Sequence, residues 1–347
     1  MPQPANNTTT NESSRSASGQ TQDPSPFSLW LTKAARSTYF FPLVGLIAVV
    51  ILMILTTDHF LSADNFLNIA RQVSINAIIA IGMTCAILSG GIDLSVGAVM
   101  ALTGTLMAGM MKLGIPPWIE PMSPAPAILI GLVVGLLFGL FNGFFIAYGA
   151  MPPIIVTLAT MGIARGLALI YTNGYPIDGL PDSFAFFGRG NVLGVQTPVL
   201  IMLIAFVLAY VLLNKTPIGR YIYAIGGNEE ATRLSGVRVS RYKLLIYALS
   251  GFTSALAALV LSSRLMSGLP NAGVAFEMDA IAAVVMGGTS ISGGRGAIIG
   301  TLIGAVMLGV LNNGLNMMGV SPYIQTVIKG LIILFAIYIS RERKKKR

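Results

Sequence analysis

"ILSGGIDLSVGAVM", residues 87–100, lies between two long apolar runs, and its reading decides the fold. A carboxylate at the centre of a membrane helix costs roughly 2.5–3.5 kcal/mol on insertion scales. Asp93 therefore belongs either at a break between helices or where something offsets that cost. Glycine is a poor helix former, so "SGG" at 89–91 predicts such a break. Asp93 then stands where an N-cap belongs, with Leu94 opening the next helix. There the carboxylate accepts backbone N–H groups and faces the positive end of the helix dipole. The same stretch fits a broken helix lining a passage, because irregular backbone is tolerated at membrane depth when it faces water or protein.

Composition points the same way. The 347 residues are 54% hydrophobic and only 10% charged, against about 25% charged in a soluble domain. Apolar runs near the ~20-residue length that crosses a bilayer recur along the chain. The ~10-residue alternating segments of a membrane barrel are missing. The fold class expected is an all-α polytopic membrane protein. Ten candidate spans fall near 39–57, 73–90, 93–112, 126–148, 152–172, 198–213, 244–263, 279–291, 296–318 and 322–340. The eighth is too short to cross a ~30 Å hydrocarbon core as a straight helix.

Charge sets the expected orientation. With the N-terminus inside, sixteen of the Lys and Arg residues fall on inside segments and four (Arg71, Lys112, Arg189 and Arg264) on outside loops, while Arg165 and Lys329 lie within spans near their ends and could snorkel. Both termini are then cytoplasmic. Residues 1–38, rich in Ser, Thr, Asn, Gln and Pro, are expected to be a disordered cytoplasmic tail without the apolar core of a signal peptide. Residues 39–340 are expected to form the transmembrane domain, with a cytoplasmic loop at 214–243, and the closing "RERKKKR" at 341–347 is a basic tail held near anionic headgroups rather than a nucleic-acid site.

Several chemistries are excluded. The single Cys85 rules out a disulfide within the chain and any cysteine metal site, and the single His59 has no ligand spacing around it. No catalytic set assembles, no metal is expected, and no G-x-x-x-x-G-K-[ST] phosphate loop occurs. The chain is therefore not expected to hydrolyse ATP. An ion-coupled transporter would need a membrane-embedded charge relay, and the sequence offers only Asp93, Arg165 and Lys329 in or near spans.

Three features carry more specific readings. In "GLVVGLLFGLFNG" the residues Gly131, Gly135, Gly139 and Gly143 share one helix face and predict a tight helix contact, within or between subunits. In the 214–243 loop, Asn228 is an N-cap, Glu229 and Glu230 fill a first turn, Arg233 a last one, and Gly236 is a C′ residue. A helix of about six residues is unstable alone, so the rest of the protein or a partner must pack on it. Asn76, Asn142, Asn312, Asn313 and Asn316 are amides in apolar runs that either bond neighbouring helices or face a polar cavity. With Asp93 and Ser95, the first four of these are candidate path residues. A 203-residue shift also places 76–91 on 279–294 with seven of sixteen positions identical, a faint internal repeat that puts span 1 on span 7.

"GMTCAILSGGIDLSVGAVMALTG" (82–104), "GRYIYAIGGNEEATRLSGVRV" (219–239), "EMDAIAAVVMGGTSISGGRGAIIGTLIGAVMLGVLNNGLN" (277–316) and "GVSPYIQTVIKGLIIL" (319–334) resemble the ribose-type sugar permeases of bacterial ABC importers, over roughly residues 39–340. The resemblance implies a homodimeric permease in the inner membrane, surrounded by lipid. A separate cytoplasmic ABC ATPase would bind the ATP and Mg, and a periplasmic sugar-binding protein would deliver a monosaccharide. Carried over by motif, Asn228, Glu229, Glu230, Ala231, Thr232, Arg233, Leu234, Ser235 and Gly236 would meet that ATPase. Ribose is the first sugar implied, with allose, xylose, galactofuranose and inositol as alternatives, because the outside loop around 175–191 aligns least well.

Overall fold

The structure is a computed structural model that describes residues 39–57, 59–114 and 120–345. The expected N-terminal tail and the last two residues of the basic tail lie outside these. Among the described residues the regular structure is helical apart from four two-residue strands. The helices are α1 (Phe40–Thr56), α2 (Ala63–Leu88), α3 (Val96–Lys112), α4 (Pro124–Ala147), α5 (Pro153–Thr172), α6 (Phe186–Arg189), α7 (Thr197–Lys215), α8 (Pro217–Gly227), α9 (Glu229–Leu234), α10 (Val239–Leu265), α11 (Phe276–Met286), α12 (Ile298–Met317) and α13 (Pro322–Lys345).

Six of these, α2, α4, α5, α7, α10 and α12, are long and apolar enough to cross a membrane, and α1 and α3 are shorter apolar helices. The structure therefore supports a polytopic helical fold but not the full count of ten spans. The expected eighth span is a half-helix: α11 has 11 residues, about 16 Å of rise, and gives way to a turn in which Gly288, Gly293 and Gly294 take positive φ. α2 is longer than expected. It starts at Ala63 because Ser62 caps it, its Oγ accepting the Asn65 amide at 3.3 Å, with Asp64 in the first turn. α13 runs on through most of the basic segment, so residues 341–345 continue that helix.

α2 is the centre of the fold. Every residue from 73 to 88 is buried, and it packs against α7, α10, α11 and α12. In its most apolar stretch 89% of residues are buried, against 33% in α4, 28% in α5 and 33% in α7. A helix apolar all round is an interior element, whereas the other three present broad apolar faces outward, as a bilayer requires.

The faint repeat has a packing counterpart. α1 packs on α12 and α10 packs on α3, so the first helix of each half lies on the third helix of the other. Both half-repeats break at equivalent glycines, Gly90 with φ +87° and Gly293 with φ +80°. Only glycine adopts that backbone freely.

The glycine ladder settles as a contact within the chain. α4 lies along α10 so closely that a methyl group on Gly135 would strike Ala255 and the Gly251 carbonyl. One on Gly139 would meet the backbone of Tyr247 and Ala248, and one on Gly143 would meet Leu244. Gly131, at the other end, faces Met107 of α3. Gly251 answers from α10, against Gly135 and Gly139. With lipid as apolar as the side chains, close backbone approach supplies the packing.

The segment between α5 and α7 is anchored to the α10–α11 connection. β1 (Ile177–Asp178) pairs antiparallel with β4 (Ser267–Gly268), and Ser263 Oγ donates to the Phe184 carbonyl at 2.5 Å. β2 (Asn191–Val192) and β3 (Val195–Gln196) form a hairpin whose Leu193 and Gly194 have φ +52° and +85°. Positive φ at both central residues is the tight-hairpin geometry.

The ladder gives a direct test. Gly139→Val should lower stability by about 1–3 kcal/mol through overpacking against backbone that cannot yield. Gly162→Ala, where nothing lies within 4 Å, should be neutral or slightly stabilising. Thermal unfolding of both variants in detergent measures the contrast.

Candidate functional site

The 214–243 segment folds as two short helices, of which the sequence reading anticipated the second. α8 starts at Pro217 with Thr216 as its cap, and ends at Asn228. The Asn228 side chain then caps α9, its Oδ1 accepting the Ala231 amide at 2.9 Å. At the far end Gly236, φ +83°, donates its amide to the Arg233 carbonyl at 3.0 Å. Glu229 and Glu230 lie in the first turn and Arg233 in the last, favourable to the dipole at both ends.

The chain itself supplies part of the packing that so short a helix needs. Lys243 of α10 pairs with Glu229 at 2.8 Å, and Arg233 reaches Glu229 at 3.2 Å and Glu230 at 3.4 Å. Thr232 is buried, whereas Leu234 is 80% exposed. α9 is thus held from one side, with an apolar side chain on the other.

α8 connects this surface to the two helix breaks. The Gly294 amide, in the turn after α11, donates to the Leu88 carbonyl at the end of α2 at 2.9 Å. Gly226 of α8 is wedged against that bond: a side chain on it would collide with the Leu88 carbonyl oxygen and the Gly294 amide. Tyr223 Oη donates to the Gly296 carbonyl at 3.1 Å. Three backbones meet there, and a side chain on Gly226 would not fit between the other two. Sequence reading saw "SGG" twice but missed Gly226 as their partner. The "GG" at 226–227 was the available signal.

Asp93 is answered by protein. Its Oδ1 accepts the Ser95 amide at 3.0 Å and the Ser95 hydroxyl at 2.6 Å, and Asn142 Nδ2 of α4 donates to Ser95 Oγ at 2.9 Å. Asp93, Ser95 and Asn142 are each 1% exposed. The helix opens at Val96, with Ser95 as its N-cap, rather than at Leu94. Asp93 therefore closes a turn before the helix instead of capping its first N–H groups, because two residues of turn intervene. These three candidate path residues come together as a clasp joining the start of α3 to α4, enclosed by protein in this conformation.

The other amides are elsewhere. Asn313 Nδ2 donates to Asn65 Oδ1 at 2.8 Å, joining α12 to α2, and Gln325 Nε2 donates to Asn316 Oδ1 at 2.7 Å, joining α13 to α12. Thr84 and Thr301 add a hydroxyl pair at 2.9 Å. Asn76 and Asn312 are buried, and Asn312 Oδ1 has no partner among the described residues.

Two cations expected to snorkel turn inward instead. Arg165 Nη1 donates to the carbonyls of Pro270 at 2.6 Å and Ala272 at 2.8 Å, fastening α5 to the loop before α11. Lys329 Nζ of α13 pairs with Asp279 of α11 at 3.0 Å, with the Asp279 side chain 6% exposed. The short helix α11 is thus gripped near its N-terminus. Sequence gave no signal for this pair, since 50 residues separate its members. Among the described residues no group of three or more His, Cys, Asp and Glu could hold a metal ion.

Residues 65–337 match the family described as branched-chain amino acid transport system / permease component. The ribose import permease protein of Bacillus subtilis is 53% identical over 304 residues, covering 87% of this chain and 92% of that protein. Its counterpart in Haemophilus influenzae is 49% identical, over 85% of this chain and 90% of its own length. The D-allose transport system permease protein of Escherichia coli is 35% identical, over 91% and 94%. No solved structure matches the chain.

The inward charge pair makes a stability prediction. Lys329→Met alone or Asp279→Asn alone should each cost about 3–5 kcal/mol, because the remaining group is left without its partner. The double variant should recover most of that loss. Unfolding midpoints of the four proteins, closed as a double-mutant cycle, read it out.

Proposed function

This chain belongs to the family of branched-chain amino acid transport system permease components, and from that premise we propose that it is the membrane-spanning permease of an ATP-driven importer for a monosaccharide, ribose first. The observation that carries the sugar is the 53% identity to a ribose import permease along nearly the whole of that protein. D-Allose and xylose stand next, since permeases named for them are related at 35% and 36% identity. The chain is a multi-pass inner-membrane protein. We infer that it works as a homodimer, with a separate ATPase that binds ATP and Mg and a periplasmic sugar-binding protein.

In this reading α9 is the contact with the ATPase. Leu234 is the exposed anchor and Asn228 to Gly236 frame it, held rigid from behind by Lys243. Closure of the ATPase on ATP would push α9 and α8 together. α8 bears on the turns after α2 and α11 through Gly226, so a push at the surface reaches two membrane helices at once. Asp93, Ser95, Asn76, Asn142, Asn312 and Asn313 would meet sugar only when the helices that enclose them part. Both termini and α9 are cytoplasmic, which the excess of Lys and Arg on those segments supports.

The decisive experiment is ATPase activity in liposomes that contain the permease, the ATPase and the binding protein, with ribose, allose, xylose, galactofuranose and inositol added in turn. Ribose should stimulate hydrolysis most. The Glu229→Ala/Arg233→Ala variant should insert normally yet lose ATPase co-purification and sugar stimulation. Normal complex assembly by that variant would remove α9 from the contact. Orientation has its own test. Cys85 is buried, so single cysteines at Leu193 and Leu234 can be labelled separately. A membrane-impermeant maleimide added to spheroplasts should reach Leu193→Cys, and should reach Leu234→Cys only after lysis.

A further inference from the structure

We propose that the groove between α8 and the start of α10 binds the headgroup phosphate of an anionic phospholipid. The groove has a volume of about 520 Å³ and is lined by Ile218, Tyr221, Arg238, Arg241, Tyr242 and Leu245 among others. The rings of Tyr221 and Tyr242 pack at a centroid distance of 4.9 Å, holding the two sides at a fixed separation.

Charge selects an anion. The 214–243 segment carries six Lys and Arg against two acids. Both acids, Glu229 and Glu230, are taken up by Arg233 and Lys243. Among the described residues no carboxylate pairs with Arg238 or Arg241, and both are exposed at the groove. A guanidinium presents a planar fork of donors that matches phosphate oxygens, and a tyrosine hydroxyl adds another donor.

Polarity along the groove selects a lipid as the source. Along α10, Arg238 stands at the N-cap and Arg241 in the first turn, and Leu245 follows one turn later, while Ile218 adds apolar lining from α8. Leu245, 42% exposed, belongs to α10, one of the helices long and apolar enough to cross a membrane. Arginine and tyrosine beside an apolar floor at the mouth of a membrane helix match the order of phosphate and acyl chain in one leaflet. An acidic protein segment would need only the charged end. The inference rests on α10 being a membrane helix and not on the sugar; Ser235 and Gly236, which belong to the proposed ATPase contact, also line the groove, so it borders that contact.

The test is native mass spectrometry of the purified full-length chain in detergent, titrated with phosphatidylglycerol and, in parallel, phosphatidylcholine. Wild type should prefer phosphatidylglycerol by about thirtyfold, as expected where two basic side chains face one anionic headgroup. Arg238→Gln/Arg241→Gln should fall to the phosphatidylcholine level. Arg220→Gln, which alters an exposed cation outside the groove lining, should leave the preference unchanged. Equal binding of the two lipids by wild type would overturn the proposal, and so would displacement of phosphatidylglycerol by inorganic phosphate alone. A double variant that keeps the lipid preference but no longer co-purifies with the ATPase would assign the groove to the protein partner instead. Failure of sugar stimulation in the liposome assay, with lipid preference intact, would count against the transport reading alone.

Discussion

The hydrogen bond from the Gly294 amide to the Leu88 carbonyl is the closure on which this architecture depends. A helix that stops inside a membrane protein leaves backbone carbonyls and amides that lipid cannot satisfy, and each costs several kcal/mol if left open. Here two interrupted helices, α2 and α11, stop at equivalent glycine turns and answer one another. The bond is possible only because the third backbone at the junction, that of Gly226, carries no side chain. The surface segment is consequently not an appendage. Its first helix fits into the joint where the two half-repeats meet.

The rest of the fold is held by two devices suited to an apolar surrounding. One is close approach. α4 and α10 touch backbone to backbone along the row of small residues, where dispersion contacts are dense and no side-chain entropy is lost. The other is the polar clasp. Asn142 holds Ser95, Asn313 holds Asn65, and Gln325 holds Asn316, each joining two helices. Such bonds average well under about 2 kcal/mol in membranes, so they fix register more than they supply stability.

Charge is used sparingly, and most of it lies outside the apolar helices. The two cations placed inward, Arg165 and Lys329, both serve the half-helix α11 and the loop that leads into it. Arg165 binds carbonyls of that loop, and Lys329 binds Asp279. An element of 11 residues cannot span the bilayer, and it buries too little surface to fix its own position. Its flanking contacts do that instead. The opposite ends of α11 are thus held differently, by charge at the N-terminal side and by the glycine junction at the C-terminal side.

The sequence by itself determined the membrane class, the interrupted helix at 89–91, the glycine face of α4 and the cap-to-cap limits of α9. Each of these is a local property, set by hydropathy over ~20 residues, by glycine conformation or by capping chemistry. The family was legible too, because its motifs are long and ordered. Only the tertiary structure decided that α4 spends its glycines on α10 within one chain, that Asp93 closes a turn on Ser95, which Asn142 holds, rather than capping a helix from Leu94, and that the eighth apolar run is a half-helix. It alone paired Lys329 with Asp279 and set Gly226 against two turns far away in sequence. Those facts depend on which backbones approach one another, and contacts between residues 47 to more than 200 positions apart leave no local trace in composition, periodicity or spacing.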